Sequence, residues 1–394
     1  MKSAQLLLVS GVLVSALLGA ACVNDIEAVG GDDDGTGGSV GTGTTSGTGG
    51  TGGTGGTGGT GGTGGTGGSV PDVVPTEPTV VATGKAGTLA VDDTWLFIGD
   101  GLGPVPYRVA KAGGTPEPAS STNGLDDTDR TQLIALDDTH VYWTVYTGIV
   151  PANYALWRAP KAGGQPTLLN EEPAINAVPP AGMAVDDQFV YLTMPDIFNS
   201  NDDPLDLRGV VRRVPKAGGP SQELASVYSY DVAVDDTYVY WTRVAADESG
   251  ELIRANKDGS NAQVFSTELG RIGGLVALGD RVFWTYTDAG TYVVRTSAGG
   301  GAPTTLTVTL DYPGVPAVAS DAYYWLRGGD AISGRVLCAT LDGVVTEVAE
   351  APASSTAPIF YGTYGNRIAV DAGAVYWSYG GESGGVPRVY RVAR

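Results

Sequence analysis

One unit recurs seven times between residues 91 and 377, and it constrains the fold more than any other feature. It reads Val-Asp-Asp-Thr-x-Val-Tyr-Trp. Clear copies run Val91 to Phe97, Leu136 to Trp143, Val185 to Tyr191 and Val234 to Trp241; weaker ones run Gly279 to Trp284, Ser320 to Trp325 and Val370 to Trp377. The aligned aromatics are Phe97, Tyr142, Tyr191, Tyr240, Phe283, Tyr324 and Tyr376, spaced by 45, 49, 49, 43, 41 and 52 residues. That period belongs to a propeller blade of four strands. The region is rich in Val, Thr and aromatics, is punctuated by Gly, Pro and Asp, and has no long stretch of helical periodicity. The expected fold is all-β, a seven-bladed β-propeller with four-stranded blades.

A second unit, Arg-x-x-Lys-x-Gly-Gly, follows the first: Arg108 to Gly114, Arg158 to Gly164, Arg213 to Gly219 and Arg254 to Gly259, with decayed copies at Arg295 to Gly299 and Leu337 to Gly343. Its glycines supply the positive φ of a tight hairpin. Blade three thus reads as strands at Gly182–Val185, Phe189–Thr193, Val210–Val214 and Gln222–Leu224. The Asp-Asp turn joins strands one and two, and the Lys-x-Gly-Gly turn joins three and four. The seventh copy stops at Arg394, which stands at the Lys position, so its fourth strand is missing. Thr79-Val80-Val81-Ala82 looks like those fourth strands. Residues 79–83 are therefore expected to complete the last blade, because an open ring leaves unpaired strand edges.

The chain ahead of this domain, expected at 77–394, divides in two. Residues 1–21 read as an export signal: Lys2, then an uncharged apolar run from Leu6 to Leu18 that is too short to span a bilayer. The ending Leu18-Gly19-Ala20-Ala21-Cys22 resembles the lipobox of bacterial lipoproteins, with Gly19 where Leu is commonest. The resemblance implies that Cys22 is lipidated and becomes the first mature residue. Several acyl chains on one residue give firm anchoring. Residues 22–76 hold Asp32-Asp33-Asp34 and seven Thr-Gly-Gly units from Thr48 to Gly68. Gly at two of three positions leaves almost nothing to bury, so a disordered tether is expected, spanning roughly 40 Å.

The Tyr-Trp-Thr cores, and the segment Leu252 to Asn261, resemble YWTD-type propellers of the low-density-lipoprotein-receptor kind. The sequence departs at the Asp: Val145, Met194, Arg243 and Tyr286 follow the Thr. Whatever pairing that Asp provides is not carried over. Receptor propellers of this kind bind other proteins, so the likeness favours a binding role.

Composition excludes much. With one His and two Cys, a His-cluster metal site and a disulfide framework are both out of reach. A formal net charge of −20 argues against nucleic acid, whose phosphates need a basic face. Trp143, Trp241, Trp284, Trp325 and Trp377 share one blade position and are expected to pack between blades rather than form a sugar-stacking platform. The first Asp of each pair (Asp92, Asp137, Asp186, Asp235) is expected to cap its own turn, with the recurring Arg within reach. His140 replaces an aromatic at a repeat position. Cys338 reads as a buried free thiol. Gly99-Asp100-Gly101-Leu102-Gly103 lacks the helix that a phosphate loop requires.

The repeating turns build one face and read as scaffold. The other face is built by connections that differ in length and composition. Its candidate ligand residues are Asp126, Asp127, Asp129, Asp196, Asp202, Asp203, Asp247, Glu248, Phe360 and Tyr361. Binding residues concentrate on such loops, and an acidic face with aromatics suits a cation, a basic protein or a carbohydrate. The expected function is a non-catalytic, envelope-anchored binding or scaffold lipoprotein. No cofactor and no catalytic residue are expected, nor nucleic acid; the domain reads as a monomer meeting the membrane only through its lipid. Val23 after the Cys leans toward the outer membrane. The alternative is a gluconolactonase-like hydrolase with calcium at the axis. The axis-facing positions read Gly87, Gln132, Gly182, Asp231, Gly274, Pro316 and Arg367, one acid and one base, a poor cage for an ion that takes six to eight oxygens.

Overall fold

The computed structural model describes residues 77–146, 153–174, 178–196, 208–245, 249–309, 316–326, 335–350, 367–379 and 386–394. Among them every regular element is a strand, and the strands form seven antiparallel sheets of four. Six sheets keep chain order. The seventh is composite: Ile368–Val370, Ala374–Tyr379 and Arg388–Ala393 are completed by Thr79–Thr83, with Val80 opposite Tyr390 and Thr83 opposite Arg388. The expected closure is what the chain does.

The first strands are innermost: Thr88–Val91, Arg130–Leu136, Gly182–Val185, Val232–Val234, Ile272–Leu278, Ala317–Val318 and Ile368–Val370. Each packs against the first strands of both neighbouring blades, and the last returns to the first, so the ring is closed. Blade three has its four expected strands, but the second runs Phe189–Asp196 and the third Arg208–Pro215, longer than the sequence suggested. In the Lys-x-Gly-Gly hairpins, Gly113, Gly163 and Gly218 have φ of +100°, +96° and +86°, which explains why that position is Gly.

There is no single core. Seven apolar clusters each bridge two adjacent blades. The cause is the two-residue period of a strand whose faces are both covered. In blade two, Tyr142 packs with Val190 and Leu192 of blade three, while its neighbour Trp143 packs with Phe97 of blade one. The pattern repeats: the Tyr position looks forward, the Trp position back. Ile98 and Leu192 fill the Trp position in blades one and three. All five tryptophans at this position are at most 2% exposed, and the Trp143 indole N–H donates to the Pro104 carbonyl at 3.0 Å. They are the packing between blades, as expected.

Candidate functional site

The face of repeating turns is held by one constellation used several times over. In each well-kept copy, Oδ1 of the first Asp accepts the backbone N–H groups two and three residues on; for Asp92 these are Thr94 and Trp95, both at 2.7 Å. Oδ2 accepts the hydroxyl of the Tyr five residues on, as Tyr142 to Asp137 at 2.6 Å and Tyr240 to Asp235 at 2.8 Å. The cation that reaches the carboxylate is Lys, not the expected Arg, and it comes from the following blade. Lys161 lies 2.8 Å from Asp92, Lys257 3.2 Å from Asp186, Lys111 of blade one 2.6 Å from Asp371 of blade seven, and Lys216 pairs with Asp137. The Arg points forward instead. Arg108 donates to the Lys161 carbonyl and Arg213 to the Lys257 carbonyl, both at 2.7 Å, with their guanidinium groups over the rings of Trp95 and Phe189. Blade one thus grips blade two, and blade three blade four, in both directions.

Burial alone would raise the Asp92 carboxyl, but the Lys161 ammonium and the two turn N–H groups hold it below the ordinary range. The same balance lowers Asp137, Asp186 and Asp371. His140 stands half-buried where other copies carry the aromatic, its Nδ1 2.7 Å from the Thr139 hydroxyl. Burial and the Arg158 charge lower its pKa against the opposing pull of Asp137. Cys338 is a buried free thiol, 3.0 Å from the Thr346 hydroxyl.

Three interfaces depart from this pattern. Between blades four and five, the Lys position is Gly299, and among the described residues no cation pairs with Asp235. Between five and six, Leu278 and Leu341 occupy the acid and base positions. Between six and seven, Ala319 stands at the acid position, and Asp321 two residues on takes Arg394. Sequence alignment places Arg295 with the forward-pointing arginines. In the structure Trp284 faces Arg295, whereas Tyr240 faces Arg254, a slip of one residue. One residue reverses the side chain, so Arg295 looks back and binds Glu268 of blade four at 3.0 Å. Glu268 also accepts the Trp284 indole N–H at 3.0 Å.

On the opposite face, four candidate residues are described. Asp126 is exposed and caps the Thr128 N–H at 3.1 Å, and Asp127 is exposed with its carbonyl taken by Arg130. Asp129 is buried and accepts the Asp126 N–H at 2.9 Å; burial raises its pKa, the Asp126 N–H opposes this, and the nearby charges of Asp126 and Glu171 add to the rise. Asp196 lies not on a loop but at the end of the second strand of blade three, buried and opposite Arg208. Asp202, Asp203, Asp247, Glu248, Phe360 and Tyr361 lie outside the described residues, as does Cys22. The described acids are therefore tied into turns and strand ends rather than converging on one point.

The axis holds a cavity of about 230 Å³, lined by the first strands of blades two to five, with Asp231 as the one ionisable lining group. A bulge in the first strand of blade five, with Gly274 at φ +57°, turns the N–H groups of Gly274 and Leu275 toward that carboxylate. Protein surrounds Asp231, yet the side chain keeps contact with the lumen. Burial pushes its pKa up to about 6 against the pull of those N–H groups. Burial also brings Arg367 down to about 10. Among the described residues, no three His, Cys, Asp or Glu side chains come together as a metal site would require.

No protein-family model and no curated protein matches the chain. Among solved structures, a puromycin-hydrolysing peptidase of Mycobacterium tuberculosis is similar over 81% of this chain and 55% of its own, with a TM-score of 0.51 and 13% identity. A structure from a study of two prolyl endopeptidases gives 80%, 50%, 0.49 and 13% by the same measures. A putative TolB from Agrobacterium tumefaciens gives 79%, 90%, 0.40 and 11%. The chain spans about half the length of the peptidases it resembles. At such identity the likeness is one of fold alone.

Proposed function

We propose that this chain is a lipid-anchored protein of a bacterial envelope whose propeller is a non-catalytic binding scaffold. Cys22 carries the lipid, the Gly/Thr-rich segment holds the propeller off the membrane surface, and the loop face meets a protein or carbohydrate partner. The YWTD-like cores fit a protein-binding role. One observation carries the assignment of faces. On the turn face the first Asp, the Lys, the Arg and the Tyr of most blades are already joined to one another or to the next blade, and polar groups so engaged have little left for a ligand. Among the described residues, the connections of the opposite face carry no repeated network, which suits residues selected for a partner.

The anchor and the face are tested separately. Metabolic labelling with a palmitate analogue is expected to mark the full chain and to leave Cys22→Ser unlabelled and released from membranes. Labelling of Cys22→Ser to the wild-type extent contradicts the anchor. Cross-linking from a photoreactive residue at Asp127 is expected to trap a partner that one at Asp93, on the turn face, does not; the reverse contradicts the face.

A further inference from the structure

The axial cavity carries one ionisable side chain on otherwise apolar walls. Asp231 shares its volume of about 230 Å³ with Ile134, Met183, Val185, Val234 and Val276, all half-buried, from the first strands of blades two to five. Arg367 does not line it. Two backbone donors, the Gly274 and Leu275 N–H groups, reach the carboxylate, and no charged side chain among the described residues acts on it.

The neighbouring blades show that the ring closes without an acid at this level. The residue after the Trp position is Thr193 in blade three, Thr242 in blade four and Thr285 in blade five. Gly182 faces the first of these and Gly273 the last. Asp231 precedes Val232, which faces Trp241, so it stands level with both glycines. A Cβ at Gly273 would lie 4.0 Å from Asp231 Oδ2. The carboxylate therefore reaches toward blade five over a position that has no side chain of its own.

An amide at position 231 could accept from the same two N–H groups and would carry no charge. What only the carboxylate adds is a negative charge, and a buried charge without a counter-ion is costly. A carboxylate has about four acceptor sites; the two backbone donors leave capacity for a donor arriving from the lumen. Calcium takes six to eight oxygens, and among the described residues no further His, Cys, Asp or Glu side chains join Asp231 to supply them. A single positive charge on an apolar body matches both the lone carboxylate and its walls. The cavity is smaller than the range of about 300 to 1,000 Å³ typical of ligand pockets, which limits that body to a few carbons. We propose that the axial cavity binds a primary ammonium on a short aliphatic chain, with Asp231 as its counter-ion. This site is independent of the lipid anchor and of the loop face.

The probe is n-butylammonium chloride, titrated at pH 7 into the full chain with its aspartates labelled with carbon-13 at the carboxyl carbon. The Asp231 resonance, assigned by its absence from Asp231→Asn, is expected to shift saturably with a Kd on the order of millimolar, as a ligand of this size allows. Asp231→Asn keeps an acceptor and loses the charge, and is expected to weaken binding roughly tenfold, read by saturation-transfer NMR on the butyl protons. Should that variant fail to fold, the wild type decides alone: 1-butanol, the same body without the charge, is expected to bind roughly tenfold more weakly than the ammonium by the same saturation transfer. Absence of saturable binding of the ammonium, equal binding of 1-butanol, undiminished binding to folded Asp231→Asn, or calcium chloride moving the Asp231 resonance at a lower concentration than the amine overturns the proposal.

Discussion

The Lys161 ammonium lies 2.8 Å from the Asp92 carboxylate of the preceding blade, and both side chains are about five-sixths buried, at 16% and 15% exposure. At that depth the pair is worth more than a surface ion pair, and breaking one side leaves a charge stranded. Asp92→Ala removes the ion pair and two turn hydrogen bonds, for an expected loss of about 2 to 4 kcal/mol. Lys161→Met is expected to cost about 1 to 2 kcal/mol. A double-mutant cycle by urea unfolding measures the coupling, expected at about 1 kcal/mol or more. Additive losses mean that the two residues act independently.

The four lowered carboxylates set the acid limit of the fold. Asp92, Asp137, Asp186 and Asp371 bind protons less readily in the folded chain than in the unfolded one. Their stabilisation is complete above the unfolded value of about 4 and is lost as pH falls through the folded values. Unfolding free energies at pH 7, 4 and 3 are expected to decline below pH 4. Asp137→Asn, already without its charge, is expected to show a shallower decline. An equal decline removes Asp137 from the account.

Asp231 acts with the opposite sign. Its folded pKa, up at about 6, exceeds the unfolded value, so its contribution is greatest below about pH 4 and is lost as pH rises through 6. Asp231→Asn keeps an acceptor for the Gly274 and Leu275 N–H groups and removes the charge. The variant is expected to gain up to roughly 2 kcal/mol on the wild type between pH 4 and 7. A constant difference over that range contradicts the assignment.

Leu278 and Leu341, 42% and 38% exposed, stand where other interfaces carry an ion pair, and the packing of Phe283 with Tyr323 and Trp325 holds blades five and six together. Leu278→Asp with Leu341→Lys is expected to show a favourable coupling of about 0.5 to 1 kcal/mol in thermal or urea unfolding. Zero coupling means that the two-residue turn after Leu278 cannot present the carboxylate.

The blades were legible because the repeat is dense and its residues are needed at every interface. Phe97 and Tyr376 align at sight since each must face forward. The closing strand was legible because the seventh copy lacks one. The latch partner was not: Lys161 and Asp92 belong to different blades, and a repeat shows what recurs but not which copy touches which. Arg295 misled because its one-residue slip changes no motif letter yet reverses the side chain. Asp196 reads as a loop residue because Pro195 beside it is a strand breaker, whereas both extend the second strand of blade three.

The strand Thr79–Thr83 and the strand Arg388–Ala393 close the ring from opposite ends of the domain. Deleting residues 79–83 from the full chain and following thermal unfolding tests it most directly. The deletion exposes the edge of Arg388–Ala393 and uncovers Val81 and Ala82's partners in the interface of blades seven and one. A fall in Tm of roughly 10 °C or more is expected, since several kcal/mol of packing and strand pairing are lost. An unchanged Tm contradicts a ring latched by its termini.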